Sequence, residues 1–205
     1  MRLHRILLVV VLALISTAAI AHIPVIEETD SDDFSGAVVI PRIYASFAIY
    51  AALKPAGDID YYTFNAEEPY KVHAGILVPY RESYRDFYPN IALAGKDLPP
   101  PQEALPFELP EGHGAVVAHP VNQGENRERF HEPFSNTDYF RTLPYIDEQV
   151  QGSENYFLIV WHPEDRPGSY VLVFGKGEKW KYSDLKSLWK KMKIIKSGSW
   201  IIDID

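Results

Sequence analysis

His131-Glu132-Pro133-Phe134-Ser135 is the stretch of this chain that comes nearest to a metalloprotease motif, and it falls short. That chemistry needs two histidines four residues apart on one helix face, with a glutamate between them as base. Ser135 occupies the second histidine position, and Pro133 disfavours the helix. Gly175-Lys176-Gly177 follows an apolar run, as a phosphate loop would, but lacks a third glycine and a βαβ setting. No Gly-x-Ser-x-Gly elbow occurs. Asp58 and Asp60 form a carboxylate pair at the start of a strand, where capping the turn or ending the ladder is the expected role. In the acidic run from Asp30, Ser35 stands where a calcium loop needs glycine.

Two constellations survive this sorting. The first is Arg127, Arg129, His131, Glu132, Tyr139 and Arg141, a ligand-site candidate in a polar segment of an otherwise acidic chain. Guanidinium groups can grip a carboxylate or sulfate bidentately, and the neighbouring aromatics can stack on sugar rings. The structural alternative pairs Arg127 and Arg129 with carboxylates and uses Phe130, Phe134 and Phe140 to plug one end of the fold. The second constellation centres on His22 as a metal ligand. If the chain is cut after Ala21, the new terminal amine, the His22 imidazole and one more histidine can brace copper. His73, His113, His119, His131 and His162 are the available partners. The alternative leaves His22 in a mobile lead-in, and no bound cofactor is expected.

The cut is expected because Arg2, His4 and Arg5 precede an apolar stretch, Ile6 to Ile20, that ends in Ala19-Ile20-Ala21. This is the layout of an export signal, and its apolar run is short of the roughly 20 residues a spanning helix needs. The reading predicts an extracytoplasmic protein, secreted or periplasmic, with a signal peptide over 1–21. The whole chain carries a formal charge of −8, which argues against nucleic acid as a partner. It has no cysteine, so neither disulfides nor thiolate zinc sites enter.

These candidates must be held by an all-β frame. An acidic lead-in is expected over 22–36. Short runs dense in aromatic, β-branched and other apolar residues then predict strands over Ala37–Ile43, Ser46–Leu53, Ile59–Asn65, Tyr70–Val78, Ile91–Ala94, Ala115–Ala118, Tyr156–His162 and Tyr170–Phe174. Within Ile59–Asn65 the alternation sends Asp60, Tyr62 and Phe64 to one side. The proline-rich stretch 98–110 is expected as a stiff surface connection. Residues 120–153 are expected as a long polar connection, which is where loops on a rigid sandwich carry function. Leu185, Leu188, Trp189 and Met192 mark an amphipathic helix from Ser183 to Lys193, with Lys186, Lys190, Lys191 and Lys193 on its other side. Residues 183–193 can pack on the parent domain or make peripheral contact with an anionic membrane.

Gly57 to Phe64, with its Asp-x-Asp-x-Tyr-x-Phe pattern, and Gly168 to Gly175, with Gly-x-Tyr-x-Leu, resemble the bacterial pre-peptidase C-terminal family. Ala48-Ile49-Tyr50, Ile76-Leu77-Val78-Pro79 and Pro89 to Gly95 fall in matching order. Leu105-Pro106-Phe107, Glu132-Pro133-Phe134 and Trp161-His162-Pro163 are similar to segments of uncharacterised secreted bacterial proteins of that type. The resemblance implies an antiparallel, jelly-roll-like β-sandwich over 37–178, followed by a C-terminal helix and tail over 179–205. It also implies an accessory, non-catalytic module whose partner is an extracellular protein or a glycan.

Overall fold

The computed structural model describes residues 22–121, 124, 127–152, 154–177 and 179–204; the export signal expected over 1–21 lies outside them. Among the described residues, eleven strands form two packed sheets. They are β1 (Ile23–Ile26), β2 (Val38–Val39), β3 (Phe47–Leu53), β4 (Ile59–Ala66), β5 (Tyr70–Pro79), β6 (Asn90–Gly95), β7 (Gly114–Ala118), β8 (Arg129–Glu132), β9 (Thr137–Val150), β10 (Glu154–Trp161) and β11 (Gly168–Phe174). Sheet A runs β1-β3-β11-β5-β9-β8 and sheet B runs β2-β4-β10-β6-β7. The chain changes sheet at every step except β6 to β7 and β8 to β9, an all-β sandwich. Both sheets are mixed at one margin, because β1 runs parallel to β3 and β2 parallel to β4, while the remaining ladders are antiparallel.

The inward residues follow the period-2 rule. Phe47, Ile49 and Leu53 from β3, Tyr62 and Phe64 from β4, Val72 and Ile76 from β5, and Tyr170, Leu172 and Phe174 from β11 fill the space between the sheets. The outer face of sheet B is also apolar. Tyr61, Ile159 and Trp161 on it are covered by Phe34 and by Leu105, Phe107 and Leu109 of the proline-rich stretch. That stretch is therefore a packed cover, with Phe107 edge-on to Trp161 at 5.4 Å.

Three expectations are corrected. The lead-in 22–36 is not a solvated linker throughout: β1 lies on the edge of sheet A, with Ile23 buried and its N–H donating to the Ser46 carbonyl at 2.9 Å. The polar connection 120–153 contains β8 and the 14-residue β9, which pairs with β5 along most of its length. The C-terminal helix is broken at Ser187 into α1 (Tyr182–Lys186) and α2 (Leu188–Ser197), which ends at Gly198 in the left-handed region. Lys181 is the N-cap of α1, and its N–H donates to the Asp184 carboxylate at 2.6 Å.

Candidate functional site

Strands β3, β5 and β11 carry apolar or small outward residues where they floor a cleft on sheet A. Ala48 and Tyr50 come from β3, Gly75 and Leu77 from β5, Val171 and Val173 from β11. The β8–β9 turn walls one side, the start of β1 another, and Met192 of α2 a third. The cavity measures about 620 Å³. Small residues make it possible. Register slips between Ala74 and Ile76, where β9 carries the extra residues Leu143-Pro144-Tyr145. The Tyr145 ring lies over Gly75, so close that a Cβ there would sit 1.9 Å from its Cδ1. The ring thus becomes part of the lining.

The polar groups at the rim come from distant parts of the sequence. His131, Glu132, Tyr139 and Arg141 line the cleft, as do His22 and His73; Arg127 and Arg129 do not. Arg127 is buried and faces inward. It donates to the Tyr84 and Arg85 carbonyls at 3.1 and 2.9 Å and to Thr142 Oγ1 at 3.2 Å, sandwiched between the Tyr88 and Phe140 rings. Burial lowers its pKa to about 10. Arg129 is exposed, pairs with Asp138 at 2.7 Å and lies over Tyr80. His131 meets the other oxygen of Asp138 at 2.9 Å. The Arg129 hydrogen bond, reinforced by His131, holds the Asp138 carboxyl below its ordinary range.

Glu132 is occupied by its own turn. It accepts the Phe134 N–H at 3.0 Å and the Ser135 N–H at 2.6 Å, and the Ser135 hydroxyl as well. Thr137 then donates to the Tyr139 hydroxyl at 2.9 Å. Arg141 donates to Glu128 at 3.1 Å and stacks on Phe130. These contacts make the β8–β9 wall stiff, with its charges internally matched.

The histidines differ. His22 is fixed at the cleft mouth because β1 is a strand. Burial lowers its pKa first, Glu132 opposes that, and the nearby His73 adds to it. His73 projects from β5 beside Tyr145, and its Nδ1 lies 3.5 Å from Asp147, too far for a well-formed bond. Burial also lowers its pKa, followed by the charge of Lys176. Of the other candidate partners, His131 is engaged with Asp138, His113 meets the Glu111 carbonyl at 3.2 Å, and His119 bridges Asn90 and Glu103. His162 is buried against Phe87, with the Tyr88 and Glu164 N–H groups directed at its two ring nitrogens. Only His73 and His131 share the cleft with His22.

Carboxylates gather on another part of the sandwich. Asp58 does cap its turn, accepting from Lys54 N–H at 2.6 Å and Ile59 N–H at 2.8 Å. Asp60 does not; it points into the core with Tyr62 and Phe64 and is fully buried. A chain of hydrogen bonds links its Oδ2 to the Tyr170 hydroxyl, Tyr170 to Tyr62 at 2.7 Å, and Tyr62 to Glu27 at 3.1 Å. Burial first, then the Glu27 charge, raises the Asp60 pKa to about 9; burial raises Glu27 to about 7. Ligand oxygens of Asp30, Asp32 and Asp58 lie within 4.8 Å of one another, an oxygen set of the kind hard divalent cations use. The ligands come from two segments, so loop spacing within 30–35 does not reveal them. Protonation relieves the same repulsion, and Asp58 is raised accordingly, by burial first and Asp30 after the opposing Lys54 bond.

Sequence reading did not find the cleft floor. The available signal was the outward apolar set Ala48, Tyr50, Leu77, Val171 and Val173, because a strand apolar on both faces must be covered on both. No family model matches the sequence, and no curated protein matches it. Among the described residues, no helix is long and apolar enough to cross a membrane.

Proposed function

We propose that the chain is an exported, non-catalytic binding module that receives an apolar segment of an extracellular protein in the sheet A cleft. One observation carries this reading: the outer face of sheet A is hollowed into about 620 Å³, floored by Ala48, Leu77, Val171 and Val173 and rimmed by polar side chains. The rim's acid and arginine support it, since Glu132 caps its turn and Arg141 pairs with Glu128. Both groups build a wall. The resemblance to pre-peptidase-type accessory domains points the same way. The aliphatic floor of Ala48, Leu77, Val171 and Val173 suits the side chains of a peptide, and the rings of Tyr50 and Tyr145 close on it. The test is binding of an environment-sensitive apolar dye and its displacement by apolar peptides, compared between wild type and Ala48→Phe. Binding lost in a variant of unchanged melting temperature supports the cleft. Binding retained there, or displacement by glycans alone, refutes it.

A second reading is copper binding, favoured by His22 and His73 lining one cleft within electrostatic reach of each other. After cleavage at Ala21 the terminal amine would join the two imidazoles. Copper titration of protein whose mass places the N-terminus at His22, beside His22→Ala and His73→Ala, decides it. Tight binding abolished by either substitution supports the brace; weak binding unchanged by both retires it.

A further inference from the structure

Residues 176–196 hold eight lysines against two carboxylates, a net of +6 in a chain whose total is −8, so the remainder carries −14. Of these lysines, Lys176, Lys179, Lys181, Lys186, Lys190, Lys193 and Lys196 are exposed. Asp184 is held by Arg42 at 2.8 Å, which removes its charge from the surface balance. Among the lysines stand three large apolar side chains with no cover: Tyr182 is 79%, Leu185 50% and Trp189 87% exposed. Tyr182 and Leu185 lie about one turn apart on α1, and Trp189 follows in the first turn of α2.

The helix is nonetheless firmly seated. Met192 and Ile195 pack with Tyr50, Leu77 and Val171 on the outside of sheet A, and Lys191 donates to the Pro24 carbonyl at 2.9 Å. Sandwich contact is thus made by the later turns of α2, and Trp189 is left outside it. A core helix would not leave its largest residue in water. An acidic protein partner would match the lysines but would need pockets of its own shaped for Tyr182, Leu185 and Trp189. A bilayer interface supplies both: anionic headgroups for lysines on flexible stems, and a boundary layer for indole, phenol and leucine.

We infer that the exposed face of α1 and α2, carrying Tyr182, Leu185 and Trp189 among lysines, is a docking surface for an anionic lipid bilayer. Docking would bring the mouth of the sheet A cleft, which Met192 and His22 line, next to the membrane. The surface does not depend on what the cleft binds.

The experiment is vesicle flotation of the exported protein at about 0.1 M salt, with pure phosphatidylcholine or phosphatidylcholine containing phosphatidylglycerol. Binding is expected to rise with the anionic fraction and to fall about fivefold for each lysine neutralised. Lys186, Lys190, Lys193 and Lys196 changed together to Gln should lower it by two orders of magnitude or more. Tryptophan emission should shift to the blue on binding, and Trp189→Phe should abolish the shift. These positions are exposed, so melting temperature should hold in both variants. Equal binding to both vesicle types, unchanged binding of the fourfold variant, or a blue shift that survives Trp189→Phe would each overturn the inference. Binding to a soluble polyanion with none to vesicles would also overturn it.

Discussion

Replacing Asp60 by Asn isolates one buried proton. In the folded protein Asp60 is fully buried, accepts from Tyr170, and leaves Oδ1 without a partner. Its pKa of about 9 means that it stays protonated at neutral pH, whereas the unfolded chain ionises near 3.8. The sign follows from proton counts. The folded state holds one more proton across that window, so stability is full below the unfolded pKa and declines as pH rises towards about 9. The slope is about 1.4 kcal/mol per pH unit. Glu27 declines in the same sense only up to about 7, and His162, whose pKa is lowered to about 4, has settled above 6.5. Between pH 7 and 8.5 Asp60 is thus the group among these that still couples to folding, and its contribution is about 2 kcal/mol. With a urea slope of about 2 kcal/mol per molar, the wild-type midpoint should fall by about 1 M across that interval. Asp60→Asn keeps the acceptor for Tyr170 but cannot ionise. It carries a constant penalty for its buried amide and a flat profile. Urea titrations at half-unit pH steps measure both. Profiles that run parallel between pH 7 and 8.5 would refute the assignment of a buried, neutral Asp60.

Arg127→Met should cost about 2–4 kcal/mol, because two carbonyls and Thr142 lose their buried donor. Arg129→Ala, at an exposed ion pair, should leave the melting temperature nearly unchanged; a loss equal to that of Arg127→Met would contradict the geometry. Gly75→Ala collides with Tyr145 and should either cost about 1–3 kcal/mol in a melting experiment or displace the ring and weaken dye binding in the cleft. An alanine that changes neither measurement would mean that Tyr145 does not lie there. His162 is kept neutral by burial first and by Arg166 next, with a folded pKa of about 4, so its share of stability is present above 6.5 and lost as pH falls towards 4. His162→Gln should remove that acid-side decline.

The core strands were legible because Phe47 to Leu53 and Tyr170 to Phe174 are unbroken apolar runs rich in aromatic or β-branched residues, and Ile59 to Asn65 sends Asp60, Tyr62 and Phe64 to one side. β9 was not, and Leu143-Pro144-Tyr145 explains why. Phe140, Thr142 and Ile146 keep one face at period 2, but the step between the last two is Pro144, exposed in the bulge, so the apolar alternation is interrupted. A proline inside the run also argues against a strand when position in the sheet is unknown. β1 hid behind Pro24 and the carboxylates that follow it, and its partner β3 lies some twenty residues on, in parallel, with no turn to announce the pair. Trp189 followed the apolar stripe, but the helix breaks at Ser187 and the sheet is met by Met192 and Ile195 instead. Four of the six residues in the ligand-site candidate reached one cleft because β8 and β9 share a hairpin. Arg127 precedes that hairpin and turns inward, a direction that residue type alone does not reveal.

The middle of sheet A has a consequence in time. β11 separates β3 from β5, so two early strands are joined only by one of the last. A nascent chain therefore cannot complete this sheet until Phe174 has been synthesised. At about 5–20 residues per second, that is roughly 10–35 s during which everything upstream lacks its central partner. Shortening the chain before β11 does not trim the sandwich; it leaves two half-sheets with no common edge. The same interval is a natural opportunity for the proposed export, since the chain can be taken in hand before the strand that locks it exists.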